Sequence, residues 1–189
     1  MKKRTLKVGF DLDGVILYNP LRTARPILAY LRQFVIKSEK KSFYIPKTLP
    51  EKLFWFILHK SSIWPAPGLT QLKDLLKKRQ IEAYVITGRY DSLTPDFERW
   101  MERLDAKNHF VHFVCNKKNE QPHEFKKRMI QKFKLDLFVE DNWDIVHLLD
   151  SGTGARILWL TNALDRRISY PYKFTNLKQV VDYLRSYVG

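Results

Sequence analysis

The chain has 189 residues, 44% of them hydrophobic and 29% charged, enough for one domain with its own core and a small insertion. One cysteine, Cys115, excludes an internal disulfide and fits a reducing compartment. The balance of 34 Lys and Arg against 20 Asp and Glu leaves a net charge of +14. Such a field attracts polyanions, whether nucleic acid, an anionic membrane surface or phosphorylated substrates, although a generally basic surface produces the same total. No apolar run approaches the roughly 20 residues of a membrane span. The basic start, Met1-Lys2-Lys3-Arg4, leads into an apolar run interrupted by Asp11 and Asp13, which is not a secretory signal. A cytoplasmic protein is expected.

In chain order, the first element is the apolar stretch from Val8 to Phe10, which reads as a buried strand. Asp11-Leu12-Asp13-Gly14 follows it. In an extended backbone residues i and i+2 point the same way, so Asp11 and Asp13 are expected to face one site, with Gly14 permitting a sharp turn. Asn19-Pro20 has the pattern of a helix start, and apolar spacing continues to about Ile36, with Pro26 as a kink. Thr48-Leu49-Pro50-Glu51 has capping-box spacing and opens a second, almost wholly apolar helix to about His59. Residues 61–68, with Pro65 and Pro67, read as a return loop.

From Leu69 the pattern alternates regularly. A helix carrying Leu72, Leu75 and Leu76 precedes a strand over 82–86. Helices over 94–104, 122–133 and 144–149 precede strands over 110–114, 135–139 and 156–160, and a last helix opens near Thr175. Alternation of this kind predicts an α/β fold, a Rossmann-like parallel sheet with helices on both faces. The segment 18–66 breaks it and is expected to be a small helical cap inserted after the first strand, leaving 1–17 and 67–189 as the core domain. Nine Lys or Arg against Glu39 and Glu51 give that segment 9 − 2 = +7, half of the net charge.

Three later motifs stand where a parallel sheet presents ligands. Thr87-Gly88-Arg89 ends a strand with a hydroxyl, a small residue and a guanidinium, a set suited to phosphate oxygens, with Arg89 as a bidentate contact. Glu140-Asp141-Asn142 ends another strand with adjacent acids. Magnesium takes one or two protein carboxylates besides phosphate and water, and Asp11 and Asp141 can be those two. Lys126 and Lys127 lie on a lysine-rich helix 14 and 13 residues before Glu140, and adjacent helical positions diverge by about 100°, so at most one faces the site. The histidines 59, 109, 112, 123 and 147 have no metal-ligand spacing and read as structural or surface residues. Cys115 reads as a small buried residue.

Taken together, Asp11-Leu12-Asp13-Gly14, Thr87, the lysine pair and Glu140-Asp141 resemble the four motifs of the haloacid dehalogenase (HAD) superfamily, in family order. The resemblance implies a magnesium-dependent phosphomonoester hydrolase working through an aspartyl-phosphate. It makes Asp11 the nucleophile and Asp13 the general acid and base. Thr87 and Lys126 complete the phosphate shell, Gly88 and Arg89 contact substrate, and Asp11, Asp13 and Asp141 hold Mg2+, with Glu140 or Asp144 in support. Lys126 is chosen over Lys127. The ending Val139-Glu140-Asp141-Asn142 and Pro67-Gly68 look faintly like the 5′-nucleotidase branch, so a nucleotide is one candidate substrate. The aromatics Phe43, Tyr44, Trp55 and Trp64 either stack a base or form the cap's own core. The competing expectation is a non-enzymatic HAD-like protein whose basic cap binds nucleic acid or an anionic membrane.

Overall fold

The structure is a computed structural model that describes residues 5–20, 48, 49, 53, 56, 62, 64–162 and 164–188. Its strands are β1 (Leu6–Phe10), β2 (Leu17–Tyr18), β3 (Trp64–Pro65), β4 (Ile81–Tyr90), β5 (His112–Asn116), β6 (Leu137–Glu140), β7 (Arg156–Leu160) and β8 (Lys173–Phe174). The helices are α1 (Leu69–Lys77), α2 (Thr94–Arg103), α3 (Ala106–His109), α4 (Pro122–Phe133), α5 (Trp143–Asp150) and α6 (Leu177–Val188). Short 3-10 turns cover Asp91–Leu93 and Leu164–Arg167.

Six strands form one parallel sheet in the order β5-β4-β1-β6-β7-β8. From β1 the chain builds outward through β4 to β5, then crosses back to the other side of β1 and builds through β6 to β8. The order reverses at β1, and ligands of open parallel sheets bind at the carboxyl ends beside such a reversal.

Period-2 alternation of apolar residues gives the sheet two cores. Val8, Phe10, Ala83, Val85, Leu137, Val139, Leu158 and Leu160 pack on one face with α1, α2, α3 and α6. The intervening residues Tyr84, Ile86, Phe138, Ile157 and Trp159 pack on the other with α4 and α5. Strands buried on both faces explain why the sequence shows them as continuous apolar runs.

The α/β reading of the sequence holds, and the helix over 122–133 and strand over 156–160 match in extent. Three differences stand out. Strand β4 continues through Thr87-Gly88-Arg89 to Tyr90 instead of ending at Ile86, with a register shift against β5 between Thr87 and Tyr90. The expected return loop contains β3, which pairs antiparallel with β2, Tyr18 opposite Trp64. The edge strand β8 has only two residues, too few to show a period. Most of the expected cap, including the helix to Ile36, lies outside the described residues. Within it Leu49, Leu53 and Phe56 are helical. Pairing of β2 with β3 brings the two ends of that segment together. No helix among the described residues is long and apolar enough to cross a membrane.

Phe10, wholly buried in β1 between β4 and β6, tests the core. Phe10→Ala is expected to lower unfolding stability by about 3–5 kcal/mol, read from the urea midpoint at unchanged slope.

Candidate active site at the carboxyl edge of the sheet

Register places the predicted residues together. Phe10 pairs with Val85 on one side and with Val139 on the other. The residues just beyond these three positions are Asp11, then Ile86 and Thr87, then Glu140 and Asp141, all at one end of the three central strands.

The backbone N–H of Asp11 donates to the Val139 carbonyl (2.9 Å), which extends the β1–β6 ladder by one residue. A tight turn follows, in which the N–H groups of Ile16 and Leu17 both donate to the Leu12 carbonyl. Gly14 adopts φ 80°, and a Cβ there would fall against the Asp141 carboxylate. Glycine is therefore required for both the turn and the close approach of the two segments.

Asp11, Glu140 and Asp141 are buried, and one oxygen from each lies within 4.8 Å of the others. Lys126 enters this group from the first turns of α4. Its Nζ donates to Glu140 Oε2 (2.6 Å) and sits 3.0 Å from Asp11 Oδ2. Glu140 Oε1 accepts from the backbone N–H groups of Asp141 (3.2 Å) and Asn142 (3.1 Å), and Asp11 Oδ1 accepts from that of Leu12 (2.8 Å). Lys127, about 100° around the helix, is exposed. Of the two lysines, Lys126 is thus the one in the site.

With all three carboxylates ionised, the single ammonium leaves two negative charges uncompensated. Burial, the largest effect, together with the neighbouring acids Glu140, Asp141 and Asp13, raises the Asp11 carboxyl to about 8 despite the opposing pull of Lys126. Burial likewise raises Glu140, again against Lys126. Burial acts to lower Lys126, but Asp11 and Glu140 outweigh it and hold the ammonium charged. An all-oxygen donor set with a deficit of two charges fits a hard divalent cation such as magnesium.

The remaining predicted residues divide. Thr87 is buried at the end of β4, and its Oγ1 accepts from the Arg89 N–H (3.3 Å). Gly88 lies against Pro122, the first residue of α4, where a Cβ would come within 3.0 Å of the ring. Arg89 departs from its expected role. Its guanidinium makes a bidentate contact, but to Asp13: Nε to Oδ2 at 2.8 Å and Nη2 to Oδ1 at 2.7 Å. Nη1 donates to Asp96 Oδ2 at 2.7 Å. A cation flanked by two carboxylates is already neutralised and does not offer its fork to a phosphate. Asp13 departs from the expected metal set for the same reason. β1 ends at Phe10, so the period-2 argument stops short of Asp13, and the turn sends its carboxylate to Arg89 rather than into the Asp11–Glu140–Asp141 group. Asp144 is exposed, and its N–H donates to the Asn142 side chain (3.1 Å), whereas Glu140 belongs to the buried carboxylate group.

Two participants escaped sequence reasoning. Asp96 stands in the first turn of α2, where an acid is favoured by the helix dipole alone, so no local signal ties it to Arg89. Asn116, buried at the end of β5, closes the following loop on the Glu120 backbone through Nδ2 (2.6 Å) and Oδ1 (3.0 Å). The metal-competent cluster among the described residues contains carboxylates only, and His59 lies outside those residues. Cys115 is buried, and burial raises its thiol pKa, as suits an unreactive side chain.

Two stability tests follow from these charges. Lys126→Ala leaves Asp11 and Glu140 unpaired and is expected to cost about 3–5 kcal/mol in metal-free protein, while Lys127→Ala stays within about 0.5 kcal/mol. A carboxyl raised in the folded state holds its proton more tightly there than when unfolded. The stability it contributes is complete below its ordinary 3.8 and is lost as pH rises through about 8. Melting of metal-free protein should therefore fall across that window, Asp11→Asn should flatten the slope, and magnesium should raise Tm more at pH 8 than at pH 5.

No family model and no curated protein matches the sequence. Solved structures do match. A HAD-superfamily hydrolase from Ehrlichia chaffeensis superposes with a TM-score of 0.57 at 12% identity, covering 100% of both chains. CbbY from Rhodobacter sphaeroides, in complex with phosphate, gives 0.61 at 13% identity over 94% of this chain and 96% of that one. The HAD-hydrolase YfnB from Bacillus subtilis, bound to magnesium, gives 0.59 at 13% identity over 97% and 100%. With its parallel sheet, its strand order and its carboxylate-lined edge, the chain has the fold of the HAD-superfamily hydrolases.

Proposed function

We propose that the protein is a magnesium-dependent phosphomonoester hydrolase of the HAD type. The observation that carries this reading is the buried group of Asp11, Glu140 and Asp141 around Lys126, short of two positive charges, at the carboxyl edge of this fold.

Asp11 Oδ attacks phosphorus, a P–O bond to Asp11 forms, and the P–O bond to the substrate alcohol breaks. Asp13 gives its proton to the departing oxygen. It then takes one from the water that attacks the phosphoryl group, releasing inorganic phosphate and restoring the Asp11 carboxylate. Thr87 Oγ1, the backbone N–H of Gly88 and Lys126 Nζ hold the phosphoryl oxygens, and Lys126 neutralises charge as it shifts onto them. Asp11 and Asp141, braced by Glu140, would hold magnesium, which supplies charge neutralisation at the phosphoryl group when bound.

The segment 18–66 acts as the cap over this edge and selects the substrate. Its +7 favours a polyanionic or multiply phosphorylated molecule, and a nucleotide belongs to that class. A protein that only bound RNA or anionic lipid through this segment would have no use for a desolvated carboxylate–lysine cluster.

Phosphate release from a panel of phosphomonoesters, nucleotides included, tests the reading with and without magnesium. Turnover should require magnesium, and Asp11→Asn should fall below about 1% of wild type while melting normally. Release that survives Asp11→Asn would remove the nucleophile assignment. No release from any compound, with salt-dependent RNA or vesicle binding instead, would favour the binder.

A further inference from the structure

We propose that Arg89 and Asp96 are positioning residues for Asp13. Together they fix its carboxylate in the orientation from which it serves the leaving group. The inference rests on the phosphatase reading above and replaces substrate contact as the role of Arg89.

The Arg89 guanidinium is wholly buried, and each of its three nitrogens donates to a buried carboxylate. Two parallel N–H···O bonds to one carboxylate fix its plane as well as its position, which a single donor cannot do. Asp96 anchors the far side of the fork. It is itself held at the start of α2, with Arg99 Nη2 3.5 Å from its other oxygen. The backbone is shaped to make this meeting possible. The register shift between Thr87 and Tyr90 and the 3-10 turn at Asp91–Leu93 bring the first turn of α2 back over the end of β4.

Stability alone does not account for the arrangement. Burying a guanidinium and two carboxylates carries a desolvation cost of several kcal/mol per ion, and apolar residues of similar volume usually serve as well. What the ions add is geometry. Asp13 lies outside the main sheet, in the turn after β1 with only an isolated bridge to Leu17, so the sheet ladder does not fix its side chain. Proton transfer requires it within about 2.6–3.2 Å of the departing oxygen, and a displacement of about 1 Å can cost 10²-fold in rate.

The prediction separates positioning from general structural support by the leaving group. An alkoxide departs only with a proton, whereas 4-nitrophenolate departs without much help. In the full-length protein with magnesium, Arg89→Lys and Asp96→Asn should lower kcat for an alkyl phosphate by about 10²-fold. For 4-nitrophenyl phosphate the loss should be under about fivefold, since general acid assistance contributes little there. In an Asp13→Asn background, Arg89→Lys should cost nothing further on either substrate. Asp96→Glu, which keeps the carboxylate, should retain most of the alkyl activity, and melts report whether each variant folds.

Equal losses on both substrates, or an undiminished Arg89→Lys effect in the Asp13→Asn background, would overturn the proposal in favour of a purely structural ion pair. Faster alkyl turnover in Arg89→Lys would overturn it in favour of a restraint on Asp13. Failure of the phosphatase reading looks different: wild type releases no phosphate, or Asp11→Asn remains active, and the positioning role then falls with it.

Discussion

The buried charge at the carboxyl edge of the sheet is the constraint around which the rest is arranged. Asp11, Glu140 and Asp141 converge there, and Lys126 compensates only one of them. Burial of these acids, and to a lesser extent their mutual repulsion, appears as the raised Asp11 and Glu140 carboxyls. A rigid scaffold keeps such a group together without opening to water. Parallel strands packed between two apolar cores supply that rigidity, because β1 and β6, at whose ends the carboxylates stand, are each paired on both sides.

Topology explains why these residues meet. Reversal of strand order at β1 puts β4 and β6 on either side of it, so the ends of three sequence-distant segments become neighbours. The approach is tightest between the turn after β1 and the end of β6, where Gly14 passes the Asp141 carboxylate with no room for a side chain. Helix α4 completes the site by presenting Lys126 from its first half while Phe125, Met129 and Ile130 bury its apolar face. Fold stability and site geometry thus depend on the same helix.

A second buried cluster, Asp13–Arg89–Asp96, stands beside the first and answers a different need. The first gathers three acids around one ammonium, whereas in the second one guanidinium bridges two carboxylates. In the proposed mechanism their separation would divide the acids between holding charge and moving protons, a division that environment and not residue type imposes.

Much of this was legible in the sequence. Apolar runs alternating with helical periods determined the α/β fold, because strands buried on both faces and helices buried on one leave distinct patterns. Asp11, Thr87, Lys126 and Glu140-Asp141 each stood at a strand end or in a helix start, and parallel topology obliges such positions to gather at one edge. Sequence spacing alone did not choose between Lys126 and Lys127; the helix settled that by its rotation against the sheet. Nor did local pattern reveal the Arg89 contacts. Arg89 looks like a phosphate ligand from its neighbours Thr87 and Gly88, and Asp96 looks like an ordinary helix-start acid. The tertiary structure alone decided their partnership, through a register shift in β4 and the return of α2. The physical reason is range: periodicity and capping are set by residues a few positions apart, but a buried ion pair is set by where the folded backbone allows charges to find one another.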